Sequence, residues 1–279
     1  MIVVVGGGTM GGGIAVSFAL SDRPVWIVEH SREMADACDE RVRASLSRAA
    51  GKRGREQEID NLNALLTIST EQPDPSEVEL VIEALPEDMS LKQSVLSAVG
   101  PHYLSSNPEL IIGSNTSSLS ITEISTALEH PDRFCGMHFF NPVPASSLVE
   151  VVVGEHTSDD TIDKAVHYGE LLGLTPITVQ DSPGFASSRL GVALGLEAIR
   201  MVESGVASAT DIDAAMTLGY KHPIGPLKLT DLVGVDVRLA IAEHLATELG
   251  PRFSPPELMV DMVAAGLLGK KTGEGFYVW

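Results

Sequence analysis

His138 and Glu150 stand twelve residues apart, in the strings Gly-Met-His-Phe-Phe-Asn-Pro-Val-Pro and Leu-Val-Glu-Val-Val. An imidazole titrates near neutrality and can take a proton from an alcohol. A carboxylate held against its second nitrogen fixes the tautomer and stabilises the imidazolium. These residue types predict a catalytic base, His138, oriented by Glu150, and a reaction that oxidises a hydroxyl. A histidine at a strand end and a glutamate on a strand's solvent face would spell the same letters, so the rest of the chain has to decide.

The chain opens on a β-branched run, Met-Ile-Val-Val-Val, that ends in Gly6-Gly7-Gly8-Thr9-Met10-Gly11, after which Ile14, Ala15, Phe18 and Ala19 recur at helical spacing. This is the strand, glycine turn and helix of a dinucleotide site. Gly6 permits the tight turn, Gly8 lets a pyrophosphate approach the backbone, and Gly11 lets helix and strand pack closely. The helix start then offers unpaired N–H groups to phosphate. A second strand, Val-Trp-Ile-Val (25–28), ends in Glu29, eighteen residues beyond Gly11. An acid there accepts hydrogen bonds from ribose hydroxyls and repels a 2′-phosphate, which favours NAD over NADP.

Further strands are expected at 80–84 and 110–112 and a helix at 89–99. Alternating strands and helices predict a Rossmann-like, doubly wound, mostly parallel sheet. Ligands of such sheets lie beyond the C-terminal strand ends, where Glu87, Asn115, Ser117 and His138 would converge on one cleft. After the turn Gln-Asp-Ser-Pro-Gly-Phe (180–185) the character changes. Residues 189–203 are apolar around most of a helix, read as a buried one, with Gly191 and Gly195 leaving a small-residue face. Helices follow at 209–218, 226–232, 235–249 and 256–265, and no strand is expected before the terminal Phe-Tyr-Val-Trp. The expected domains are a NAD-binding domain (1–182) and an all-helical C-terminal domain (183–279). The helical set is too small to bury its own apolar surface, so a homodimer through it is expected.

With 44% hydrophobic residues in 279, the chain can bury two cores. No basic-then-apolar leader and no apolar run of membrane length is present, and a cytoplasmic protein with no membrane partner is expected. Cys38 and Cys135 are too few for a disulfide framework, and the eight histidines lack metal-ligand spacing, so no metal is expected. A formal charge of −19 argues against nucleic acid. Residues 41–55 are the exception: they hold Arg41, Arg43, Arg48, Lys52, Arg53 and Arg55 and no acid. Such a patch is either a solvated helix face or a site for a substrate whose phosphates lie far from its reacting carbon, such as an acyl-coenzyme A.

Taken together these strings resemble the NAD-dependent 3-hydroxyacyl-CoA dehydrogenases, including bacterial 3-hydroxybutyryl-CoA dehydrogenases. The resemblance runs almost end to end. It covers Gly-Thr-Met-Gly (8–11), Val-Ile-Glu-Ala with Glu87 after it, Ser-Asn-Thr-Ser-Ser-Leu (114–119) and the His138 and Glu150 segment. It continues through Asp-Ser-Pro-Gly-Phe (181–185), His-Pro-Ile-Gly-Pro-Leu (222–227) and Leu-Gly-Lys-Lys-Thr-Gly-Glu-Gly-Phe-Tyr (268–277). The resemblance implies that His138 removes the 3-hydroxyl proton and Glu150 orients it. Ser117 and Asn141 match positions that contact the substrate oxygen, the histidine or the cofactor. Glu87, Lys92 and Asn115 match cofactor-side positions, and Ser45 and Lys52 match positions that hold coenzyme A.

One position departs from the family pattern. Many members carry Asn before the Arg of Gly-Phe-x-x-Asn-Arg, and this chain has Ser188. A hydroxyl reaches less far than a carboxamide, and the loss in transition-state positioning is ~1–3 kcal/mol, the scale of one buried hydrogen bond. Two other readings stand beside the main one. The same chemistry would suit a 3-hydroxyacyl group on an acyl carrier protein, or a free hydroxy acid. A non-catalytic NAD-binding protein is the more distant alternative.

Overall fold

All four residues of β1 (Ile2–Val5) are β-branched and all four are buried. A strand buried on both faces belongs at the centre of a parallel sheet, and β1 lies inside the sheet order β3-β2-β1-β4-β5-β6-β7-β8. The computed structural model describes residues 1–279. It forms two compact units, Met1–Asp181 and Ser182–Trp279.

In the first unit β1 turns into α1 (Thr9–Leu20), followed by β2 (Val25–Val28), α2 (Arg32–Lys52), α3 (Ile59–Ala64) and β3 (Leu66–Ser69). The chain then crosses to the other side of β1 with β4 (Leu80–Glu83), α4 (Met89–Leu104), β5 (Ile111–Ser114), α5 (Ile121–Ser125) and β6 (Phe134–Phe139). These six strands run parallel, so their C-terminal ends share one edge of the sheet. β7 (Leu148–Val153) returns antiparallel to β6, and β8 (Thr175–Gln180), after α6 (Asp159–Leu171), lies parallel to β7. The strand order reverses at β1, where β2 and β4 flank it on opposite sides; the loops after β1 and β4 therefore part to leave a crevice.

Ile2, Val4, Ile82 and Met137 belong to one core cluster with Ile14 and Phe18 of α1 and Leu46 of α2. The alternate residues Val3, Val81 and Ile112 are equally buried on the other face. Each such side chain contributes ~1.5–3 kcal/mol by leaving water. α4 runs five residues beyond the expected end, through Pro101, because Tyr103 and Leu104 are buried and Gly100 packs under Leu128. Core packing here outweighs the local cost of a proline.

The second unit comprises α7 (Ser187–Glu203), α8 (Ala209–Ala214), α9 (Pro226–Val233), α10 (Val235–Leu249) and α11 (Glu257–Ala264). Within this chain α7 is not the buried helix that its composition suggests. Its neighbours cover one face, with Val192, Gly195, Leu196 and Ile199, and leave Leu190 70% exposed. The glycines do admit close neighbours: Arg238 of α10 lies over Gly191 and Thr230 of α9 over Gly195. The last four residues form no strand. They are an irregular tail bound by Asp231 of α9, whose carboxylate accepts from the backbone N–H groups of Phe276 and Tyr277 and from the Trp279 indole, at 2.9–3.0 Å. No helix is long and apolar enough to cross a membrane.

Candidate active site

The turn after β1 is built by contacts that only glycine permits. Gly6 has φ +93°, and a Cβ on Gly11 would lie 1.9 Å from the Gly6 carbonyl oxygen. Gly7 donates its N–H to Glu29 Oε1 at 2.9 Å, and His30 donates to Glu29 Oε2 at 3.3 Å, so the acid at the end of β2 is locked to the glycine loop. A Cβ on Gly8 would meet nothing within 4 Å, which leaves the outer side of the loop open. Beyond it lies a cleft of ≈ 930 Å³, whose walls include Gly8, Thr9, Met10, Glu29 and the apolar Leu85 and Val95. An open glycine turn at a helix start, an acid at the next strand end and an apolar slot between them match the diphosphate, ribose and adenine of NAD in turn.

His138 and Glu150 are register partners across the antiparallel β6–β7 pair. Residues directly opposite project from the same face of a sheet, so the twelve-residue spacing becomes a contact. His138 Nδ1 lies 2.8 Å from Glu150 Oε2, both side chains are buried, and the ring sits 4.5 Å from that of Phe140. A carboxylate accepts and does not donate. The imidazole proton therefore resides on Nδ1, and the lone pair resides on Nε2.

Between the glycine loop and the histidine, the ends of β4 and β5 carry a charge network. Lys92 and Glu83, 1% and 0% exposed, form an ion pair at 2.7 Å. Lys92 Nζ also donates to the Leu85 carbonyl at 3.2 Å and lies 3.5 Å from Glu87. Ser114 Oγ and the Leu85 N–H both donate to Glu83, and Glu87 Oε1 accepts from the Thr116 hydroxyl, the Ser117 N–H and the Ser118 N–H at 2.7–3.0 Å. Burial raises the Glu87 pKa, but the Thr116 hydroxyl, the Lys92 charge and the Ser117 and Ser118 donors outweigh it and hold the carboxyl below its ordinary value. Asn115 Oδ1 accepts from the Phe139 N–H at 2.9 Å and so ties this loop to β6 one residue past His138.

Thr9, Met10 and Glu29 thus line the cleft with the glycines, while His138, Glu150, Asn115, Ser117, Glu87 and Lys92 gather along the same sheet edge outside its walls. Lys92 is engaged by Glu83, the Leu85 carbonyl and Glu87. Glu83 was legible only as part of a strand, and an acid inside so apolar a run was the signal for a partnered buried charge. Asn141 is exposed in the loop after β6, whose Val143 packs on Gly13 of α1. Ser45 and Lys52 lie on α2, and Arg53 near its end donates to the Pro144 carbonyl of that loop. Ser188 lies in the first turn of α7, in the second unit.

The basic run at 41–55 is less uniform than its letters. Arg43 pairs with Asp39, and Arg55 pairs with Asp22 and Glu58. Acids outside the run neutralise these two, leaving Arg48 and Lys52 exposed on α2.

Comparison with known proteins bears on both units. The model of the 3-hydroxyacyl-CoA dehydrogenase NAD binding domain matches residues 1–182, and that of the 3-hydroxyacyl-CoA dehydrogenase C-terminal domain matches residues 184–279. The chain is 40% identical to a probable 3-hydroxybutyryl-CoA dehydrogenase of Deinococcus radiodurans over 98% of each chain. It is 39% identical to the 3-hydroxybutyryl-CoA dehydrogenase of Clostridioides difficile, over 99% of this chain and 98% of that one. The crystal structure of (S)-3-hydroxybutyryl-CoA dehydrogenase from Ralstonia eutropha superposes with a TM-score of 0.92 at 41% identity, covering 100% of this chain and 98% of that one.

Proposed function

The chain belongs to the 3-hydroxyacyl-CoA dehydrogenase family, and from that premise we propose that it oxidises the 3-hydroxyl of a short 3-hydroxyacyl-CoA, 3-hydroxybutyryl-CoA first among them, and catalyses the reverse reduction. It is an NAD-dependent oxidoreductase. When bound, NAD supplies the two-electron acceptor for the hydrogen on carbon 3. The glycines at 6, 8 and 11, with Thr9, Met10 and Glu29, hold it.

The observation that carries the reading is the buried contact of His138 Nδ1 with Glu150 at 2.8 Å, on the sheet edge that also bears the glycine loop. With its proton on Nδ1, His138 takes the 3-hydroxyl proton on Nε2, and Glu150 stabilises the imidazolium that results. Ser117 and Asn141 orient the substrate oxygen. Asn115 and Glu87 hold the Ser117 loop, and Lys92 and Glu83 position Glu87. Ser45 and Lys52 bind the phosphates of coenzyme A, and Ser188 keeps a substrate-contacting role. Positioning and proton transfer supply most of the rate.

A homodimer through the second unit completes the reading. Leu190, Leu218 and Tyr220 are each at least 70% exposed there, and a second copy would cover them.

The direct test follows NADH absorbance with acetoacetyl-CoA. NADH consumption that depends on the acyl-CoA is expected. Inertness toward acetoacetyl-CoA, with turnover of carrier-bound or free-acid analogues, would overturn the substrate assignment.

A further inference from the structure

No charged side chain lies in the first turn of α1, so the glycine loop itself offers a dinucleotide only neutral donors, its backbone N–H groups and the Thr9 hydroxyl. A helix start carries roughly half a unit of positive charge, and a diphosphate brings about two negative ones. The cleft nevertheless contains one guanidinium. Met34, Ala37 and Arg41 lie three and four residues apart on α2 and line the cleft together. Arg41 reaches back to the loop, where its Nη2 donates to the Gly7 carbonyl at 2.5 Å. The Gly7 peptide is thus held from two sides, its N–H by Glu29 and its carbonyl by Arg41.

Arg41 is one of several cations of its segment that no acid neutralises, and unlike Arg48, Lys52 and Arg53 it lines the cleft. Arg32, Arg43 and Arg55 each sit in an ion pair, with Asp36, Asp39 and Asp22 respectively. Arg41 has no carboxylate partner and rests on carbonyl oxygens alone, those of Gly7 and Ala37, while exposed to solvent. A carbonyl is a weaker acceptor for a guanidinium than a phosphate, which takes two parallel N–H bonds from it.

We propose that Arg41 is the side-chain counter-cation for the diphosphate of the bound dinucleotide, parked on the Gly7 carbonyl one residue from the open face of Gly8. This rests on the reading of the cleft as the NAD site and adds a residue to it. The assignment removes Arg41 from the basic patch offered to coenzyme A. Lys52 lies eleven residues further along α2, about 16 Å at 1.5 Å per residue, and Ser45, Arg48 and Lys52 are absent from the walls of this cleft.

The test measures NADH binding by fluorescence, with ADP and adenosine as competitors, for the wild type, Arg41→Gln and Arg41→Lys, each checked for an unchanged melting temperature. Arg41→Gln should weaken NADH and ADP about tenfold, leave adenosine unchanged and flatten the salt dependence of NADH affinity. Arg41→Lys should recover part of the loss. The KM for acetoacetyl-CoA at saturating NADH should not move. Equal NADH affinity in wild type and Arg41→Gln overturns the proposal. So does an equal loss for adenosine and ADP, which would place Arg41 on the base, or a raised acyl-CoA KM with NADH binding intact. A wild type that binds no NADH would instead remove the dinucleotide reading of the cleft itself.

Discussion

In the proposed reaction the role of His138 depends on which ring nitrogen carries the proton, and the 2.8 Å contact with Glu150 favours Nδ1. His138→Gln should therefore lower kcat by about 10²–10⁴-fold while NADH binding, read by fluorescence, stays at the wild-type level. Glu150→Gln keeps the shape but can donate to Nδ1 and strand the wrong tautomer, so kcat should fall on a similar scale with little change in KM; normal turnover in either variant would break the dyad. The buried pair of Lys92 and Glu83 makes a different prediction. Lys92→Met leaves a carboxylate unpaired in the interior, a loss of about 3–5 kcal/mol in urea denaturation, and adding Glu83→Gln should recover part of it. Glu87 supplies a pH dependence. Its carboxyl is held below the ordinary 4.5, so its contribution is fully present above that value and is lost as pH falls through the depressed one. Amide exchange at Ser117 and Ser118 should accelerate only below the ordinary carboxylate range, and Glu87→Gln should lack that acid step.

The elements explain why those side chains meet. β1, the glycine turn and α1 were legible because each letter had one physical role, and Gly11 is the sharpest case. Gly11→Ala would set a Cβ 1.9 Å from the Gly6 carbonyl oxygen, so α1 must shift off β1. Loss of NADH binding with a lowered melting temperature is expected, and an unperturbed variant would contradict the packing. The alternation of strand and helix revealed the doubly wound sheet as well. Less legible was the end of α4, where Gly100 and Pro101 read as a stop and buried Tyr103 and Leu104 override it. The terminal Phe-Tyr-Val-Trp reads as a strand by composition, but the N–H groups of Phe276 and Tyr277 and the Trp279 indole go to a side chain, Asp231, that no local pattern announces. In the site, the His138–Glu150 contact needed only a two-strand register, whereas Glu83 and Glu87 close on Ser114, Thr116 and Ser117, 29–31 residues further along the chain.

For the molecule as a whole, the second unit's uncovered apolar residues predict association. Sedimentation velocity at micromolar concentration should show a dimer, and Leu190→Glu should weaken it, since charging a side chain now 70% exposed costs a monomer little but opposes burial; a wild type that remains monomeric would end the dimer reading. The net charge of −19 was readable from composition and still says which partners are disfavoured, while composition does not show that acids outside the basic run on α2 pair with Arg43 and Arg55. Linear order determined the glycine turn, the acid at the next strand end, the histidine with its carboxylate and the change from sheet to helices. These features rest on neighbours in the chain or on the period of a strand, which local sequence encodes. Tertiary structure alone decided that Arg55 also pairs with Asp22, that Glu87 holds the loop at 116–118, and that Arg41 lines the cleft beside the glycine loop. Such pairings depend on distances between segments far apart in the chain, and Coulomb energies and hydrogen bonds respond to those distances rather than to residue order.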